Sequence, residues 1–407
     1  MSIEPRAAIA AIVSDPRFRA AVATLEREHD RTVEDIVTLT EIPAPPFKEE
    51  ARARAYLEML NAHGLEEAEM DAAGNVMGLR RGTGNGLLVV VAAHLDTVFP
   101  AGTDVRVRRE GTKLFAPGVG DDTRSLAVNL AFIRALDAAG IRTRHDLLFV
   151  GDVGEEGLGD LRGIRHLFTV GRYRGRISAF FTVDSPEMDR IATGGIGSKR
   201  YRVTFRGPGG HSWMAFGLVN PVCAMARAAS ALAAEAVPDD PRTTHCVSVV
   251  AGGTSVNAIP NEVRIEVDLR SQSHEALKQL EARFLHIVAD AVAAENDARS
   301  TREGPVAAEA VLIGDRPAGR TPADSDIVRL STAAIAAHGF SPQHEYSSTD
   351  ANIPMSLGIP AVKIGSGGSG GRGHSLEEWI DVEKGESVRG MSASLAAILA
   401  VAGIAEG

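Results

Sequence analysis

The sequence predicts an α/β fold: a mostly parallel sheet flanked by helices, interrupted by an inserted α+β unit. Three features carry this expectation. Short, wholly apolar runs alternate with helical stretches, the middle of the chain switches to polar/apolar alternation, and the first pattern then returns. Residues 17–63 read as two helices split at Pro43, Pro45 and Pro46. Residues 87–93 are apolar and Val-rich, as in a strand buried on both faces. Residues 126–136 look helical, and 147–150 and 179–183 are further buried strands. Between about 197 and 300, residues 200–205 and 262–269 alternate as half-exposed strands do, beside helical stretches near 220–235 and 274–294. A final helix spans 387–400. The expected domains are 1–196 (larger unit, first part), 197–303 (inserted unit) and 304–407 (larger unit, second part).

Composition narrows the function. The chain has 407 residues, more than one compact core usually serves, with 44% hydrophobic and 24% charged residues. The net charge of -10 argues against a nucleic-acid footprint or a polybasic membrane patch. With only two cysteines, Cys223 and Cys246, a Cys-based zinc site is excluded by count and a disulfide framework is not expected. Any metal must be held by His, Asp and Glu. No apolar run reaches the ~18 residues of a membrane span, and the start lacks a signal-peptide pattern, so a cytoplasmic protein is expected.

Five polar segments fall at strand ends or in the loops beyond them. These are His94-Leu95-Asp96, Gly118 to Asp122, Gly154-Glu155-Glu156-Gly157, Asp184, and Gly373-His374-Ser375. Each alone has a bland explanation: a surface histidine, a helix cap, a solvated turn. Together they deliver two histidines and several carboxylates to one sheet edge, where ligands of open α/β sheets bind. Two imidazoles and three carboxylates suit two zinc ions, one carboxylate bridging them. Such a pair acidifies a water and polarises a carbonyl. A further carboxylate must then move the water's proton to the leaving group. Glu155-Glu156 offers one group for each task, because successive side chains in extended backbone point opposite ways. Asp96, two residues after His94, can fix the imidazole tautomer.

These motifs resemble the zinc peptidase superfamily that includes peptidase T, carboxypeptidase G, aminoacylase and succinyl-diaminopimelate desuccinylase. The resemblance runs in order through nearly the whole chain, and also takes in Gly210-His211-Ser212 and the stretch Gly253 to Pro260. It implies that His94 and Asp184 hold one zinc, Glu156 and His374 the other, and Asp121 bridges them. Glu155 is then the general acid/base and Asp96 the orienting residue. The inserted unit is implied to be a lid and dimerisation domain of a homodimer. His211 would reach the partner subunit's active site and stabilise the oxyanion, while Asn257 and Arg270 hold substrate. Two Zn2+ per subunit are implied, with Co2+ or Mn2+ as alternatives, and a cis bond between Asp121 and Asp122.

One departure stands out. Relatives carry Asp-x-Lys-Gly at the bridging residue, and here Asp121-Asp122-Thr123-Arg124 stands instead, with Arg124 a substitute for the lysine's charge. The segment Ser348 to Pro354 and the glycine-rich loop before His374 lean towards the peptidase T-like branch. The implied substrate is a small peptide, and an N-acyl or N-carbamoyl amino acid is the alternative. A non-catalytic binding relative would have lost a ligand or Glu155, and neither is lost.

Overall fold

The computed structural model describes residues 4–84 and 86–406. The chain forms two units, Met1–Gly195 with Arg320–Gly407, and Ile196–Gly319.

In the first unit four parallel strands make the centre of the sheet, in the order Asp146–Asp152, Leu88–His94, Ile177–Val183 and Ala361–Ile364. Val76–Arg80 and Glu66–Met70 extend it antiparallel at one side. Every residue of Leu88–His94 is buried, because helices cover both faces of the sheet. Arg124–Ala138 and Lys384–Ala402 pack on one face, and Arg162–Thr169 with Ile353 and Met355 on the other. Since the central strands are parallel, their C-terminal ends share one edge. His94, the loop after Asp152, Asp184 and the loop after Ile364 all leave from it.

Two sequence expectations need correction. Residues 17–63 contain three helices, Pro16–Arg27, His29–Thr40 and Glu50–Ala62, where two were expected, and a further helix, Pro5–Ser14, precedes them. Asp15 ends the first and caps the second, its carboxylate accepting from Arg17 N at 2.8 Å; Pro16, which has no N–H to satisfy, opens the second. The inserted unit also ends at Gly319, not at 303. Its antiparallel sheet runs Thr243–Gly252, Glu262–Ser271, Gly197–Arg206, Ala307–Arg316, and the last strand pairs along Gly197–Arg206. Ala307–Arg316 and Thr243–Gly252 are edge strands with many exposed positions, so neither shows a buried run or clean alternation. Helices Pro221–Ala233 and His274–Ala298 bury the apolar side of this sheet.

A small second sheet in the first unit pairs Trp379–Asp381 with Lys113–Phe115. It holds the segment just after His374 beside the loop that carries Asp121. No helix among the described residues is long and apolar enough to cross a membrane.

Candidate metal centre

His94 closes its strand and is 1% exposed. Its Nδ1 lies 2.9 Å from the Asp96 backbone carbonyl, which can only accept, so Nδ1 carries the hydrogen and Nε2 is left as the donor nitrogen. That Nε2 is 2.8 Å from Asp121 Oδ1. The other Asp121 oxygen, Oδ2, is 3.1 Å from His374 Nε2, which also lies 3.0 Å from Glu156 Oε1. One carboxylate thus presents one oxygen to each of two imidazoles. Ligand atoms of His94, Asp121 and Glu156 all fall within 4.8 Å of one another. Asp184, half-buried after Ile177–Val183, feels the charges of Asp121 and His94, and Lys363 stands beside it with Nζ donating to Ser185 Oγ at 2.8 Å.

The electrostatics fit a cation site. Burial opposes charge on His94, yet the Asp121, Asp122 and Glu155 carboxylates outweigh it and raise its pKa well above the imidazole norm. Hydrogen bonds to Asp121 and Glu156 push His374 up to about 11. Burial would raise Asp121, but the two imidazoles pull it below the usual carboxylate range. Burial raises Glu156 and Asp184. Acidic groups outnumber imidazoles in a buried space without thiolates, and this donor set suits divalent ions of the zinc kind. The Asp121–Asp122 peptide bond is cis.

Two carboxylates hold the loops that carry the candidate ligands. Asp96, fully buried, accepts from the backbone N–H groups of Gly154, Glu155 and Glu156 at 2.9, 3.0 and 2.9 Å. Its carboxylate is 3.8 Å from His94 Nδ1, so it orients the imidazole through its carbonyl and the Glu155-Glu156 turn through its side chain. Glu378 does the same for the other loop, accepting from Gly118, Gly120 and Asp121 at 2.9, 2.8 and 2.9 Å. Sequence reasoning missed Glu378. The available signal was its place four residues after His374, as Asp96 stands two after His94. His374 itself sits at φ 63, in the left-handed region, with its side chain 57% exposed.

Arg124 does not take the place of the lysine's charge at the ligands. It is buried, donates to Ser387 Oγ at 3.1 Å, and feels the charges of Asp381 and Glu187. In the inserted unit His211 pairs with Ala258, and Asn257 O accepts from Ser212 N at 2.9 Å, so the histidine and asparagine segments lie side by side. His211 Nδ1 accepts from Trp213 N at 3.2 Å, so that bond does not use Nε2. Arg270 Nε donates to Asp268 Oδ2 at 2.6 Å, so part of its guanidinium is already engaged.

Comparison with known proteins bears on the whole arrangement. Residues 90–399 match the model of peptidase family M20/M25/M40. No curated protein matches the chain at a significant level. Among solved structures the chain is similar to the aminopeptidase PepT of Bacillus cereus, at 21% identity and TM-score 0.73, covering 92% of this chain and 99% of that one. A dinuclear metal binding peptidase of the M20 family from Bacillus subtilis is 17% identical with TM-score 0.65, over 92% and 99% of the two chains. An amidase of the hydantoinase/carbamoylase family from Burkholderia vietnamiensis is 18% identical with TM-score 0.67, over 92% and 97%. With the match running from the strand of His94 through the C-terminal helix, the chain belongs to peptidase family M20/M25/M40 and is a hydrolytic enzyme.

Proposed function

We propose that this protein is a di-zinc exopeptidase acting on small peptides, an aminopeptidase or tripeptidase. The observation that carries the reading is the Asp121 carboxylate, whose two oxygens face His94 and His374 separately. His94 and Asp184 would hold one ion, Glu156 and His374 the other, and Asp121 both. Ions bound there supply Lewis acidity and acidify a water for attack on the scissile amide.

The chain's own residues do the rest. Glu155, buried beside ligand Glu156 and held by Asp96, takes the water's proton and returns it to the leaving amine. Asp96 and Glu378 fix the two ligand loops so that little reorganisation is needed during reaction. The inserted unit serves as lid and dimerisation domain of a homodimer in the cytoplasm. From it His211, its Nε2 unengaged by its own loop, donates to the developing oxyanion in the partner subunit's site, with Asn257 and Arg270 positioning substrate.

The second reading is an N-acyl or N-carbamoyl amino-acid amidohydrolase. The likeness to a hydantoinase/carbamoylase-family amidase favours it, as does Arg270 as a carboxylate clamp. One experiment separates the two: hydrolysis of di- and tripeptides against N-acyl and N-carbamoyl amino acids, with and without chelator. Cleavage of peptides with a free amine and not of acylated ones supports the exopeptidase, and the reverse preference overturns it. Turnover untouched by exhaustive chelation would contradict both readings.

A further inference from the structure

We propose, resting on the hydrolase reading, that Phe47 and Leu158 wall an apolar subsite beside Glu155, which selects substrates carrying an apolar side chain there. Phe47 is 59% exposed and Leu158 51%, while Glu155 and Glu156 between them are buried. The Arg162 guanidinium carbon stands 5.0 Å from the centre of the Phe47 ring. The same guanidinium lies against Gly154, the residue before Glu155, so closely that its Nη1 leaves no room for a Cβ there. One side chain therefore separates the aromatic ring from the turn that carries Glu155. Leu158 stands at the other end of that turn, two residues after Glu156, in the short helix Gly157–Gly159. The chain folds back at this point: Leu161 N donates to Gly154 O at 2.8 Å, and a Cβ on Gly159 would lie 2.5 Å from Gly154 Cα.

The segment that carries Phe47 is fixed along the strand edge. Thr97 N donates to Ala44 O at 3.0 Å, and the buried Arg52 donates to Ile42 O at 3.0 Å and Leu95 O at 2.7 Å. Glu49, 4% exposed, accepts from Phe47 N at 3.0 Å and pairs with Arg162 at 2.7 Å. That pair cancels the charge of the guanidinium, so the ring rests against a neutral support. Single exposed apolar side chains are common on protein surfaces and need no role. These two differ in position, because they flank the turn that bears the proposed proton carrier. An apolar group bound there leaves water together with the faces of Phe47 and Leu158, and gains in proportion to the area covered.

The test compares kcat/KM for tripeptides in which Leu, Phe, Ser or Glu occupies one position at a time, with the matching N-acyl amino acids as a second series. In the series that the metal-loaded wild type cleaves, Leu or Phe should exceed Ser by about tenfold or more at one position, as apolar pockets discriminate. Phe47→Ser and Leu158→Ser should each bring that ratio towards one with metal content unchanged, and Phe47→Leu should keep most of it. Leu158→Ser and Phe47→Leu decide the question should Phe47→Ser fail to fold. Cleavage without apolar preference, or a ratio unchanged in the variants, would overturn the subsite and leave the hydrolase reading standing. So would an equal loss on every substrate, or a preference for Glu, which would give this edge to the exposed Lys48. Cleavage of neither series would remove the hydrolase reading, and the subsite with it.

Discussion

The two units of this protein treat their functional residues in opposite ways. In the first, His94, Glu155 and Glu156 are buried, and the loops carrying Glu155, Glu156 and Asp121 are each pinned by three backbone hydrogen bonds to a buried carboxylate. In the inserted unit His211 stands on an exposed loop beside Trp213 and Phe216, which are 83% and 85% exposed, and Asn257 is exposed as well. Ligands must be pre-organised before a metal arrives, because each unsatisfied donor and each misplaced oxygen weakens binding. A residue that meets only substrate or a partner copy has no such requirement. In the proposed roles, the difference separates groups that would build a site from groups that would complete it.

That contrast can be broken by substitution, beginning with the largest expected effect. Glu155→Gln should keep its metal complement and lose roughly 10²–10⁴-fold in turnover, as general-base loss does; metal analysis beside initial rates checks this, and loss of metal would make Glu155 a ligand. His211→Ala should leave metal content unchanged and lower turnover by about 10²–10³, the size of a lost oxyanion donor. Mixing these two variants should restore part of the activity if the histidine serves the partner subunit. No recovery in mixed dimers would place its action within its own chain.

The clamps should show an intermediate effect. Glu378→Gln sets an amide N–H₂ against one of the backbone donors, and should weaken metal affinity about 10–100-fold, as loss of an outer-shell partner does. Competition with a coloured chelator measures it, and unaltered affinity would reduce Glu378 to a loop contact. A smaller effect concerns stability. Asp152 and Asp350 are fully buried, no other side chain among the described residues donates to their oxygens, and the two carboxyl groups face each other closely enough to share a proton. Burial raises Asp152 from 3.8 to about 7, and Asp350 well above its usual value. The folded state therefore holds more protons than the unfolded one, and stability falls as pH rises through that window, by up to about 1.4 kcal/mol per pH unit for each proton held. Asp350→Asn should flatten this fall and raise the unfolding midpoint at pH 8 relative to wild type. Parallel slopes for the two proteins would contradict the shared proton.

Much of this arrangement was legible in the sequence, and the failures have physical causes. The buried parallel strands announced themselves because both faces are covered, so Leu88–His94 and Ile177–Val183 are almost unbroken apolar runs. The candidate segments at the strand ends were legible for the same reason, since parallel strands send their ends to one edge. Edge strands carry no such mark, which is why Ala307–Arg316 was assigned to the wrong unit and Thr243–Gly252 was missed. Arg124 misled for another reason: a charged residue in a motif suggests a charge partner nearby, whereas its guanidinium runs into the interior towards Ser387. Glu378 was hard to find because its partners are backbone N–H groups some 260 residues away in the chain, and its nearness to His374 does not identify them.

The central claim is that Asp121 joins two divalent ions, and diffraction from crystals of the zinc-loaded enzyme tests it most directly. The account predicts two ions per chain, about 3.5–4 Å apart, with one Asp121 oxygen on each and Glu155 on neither. A single ion, or two ions that do not share Asp121, would contradict it.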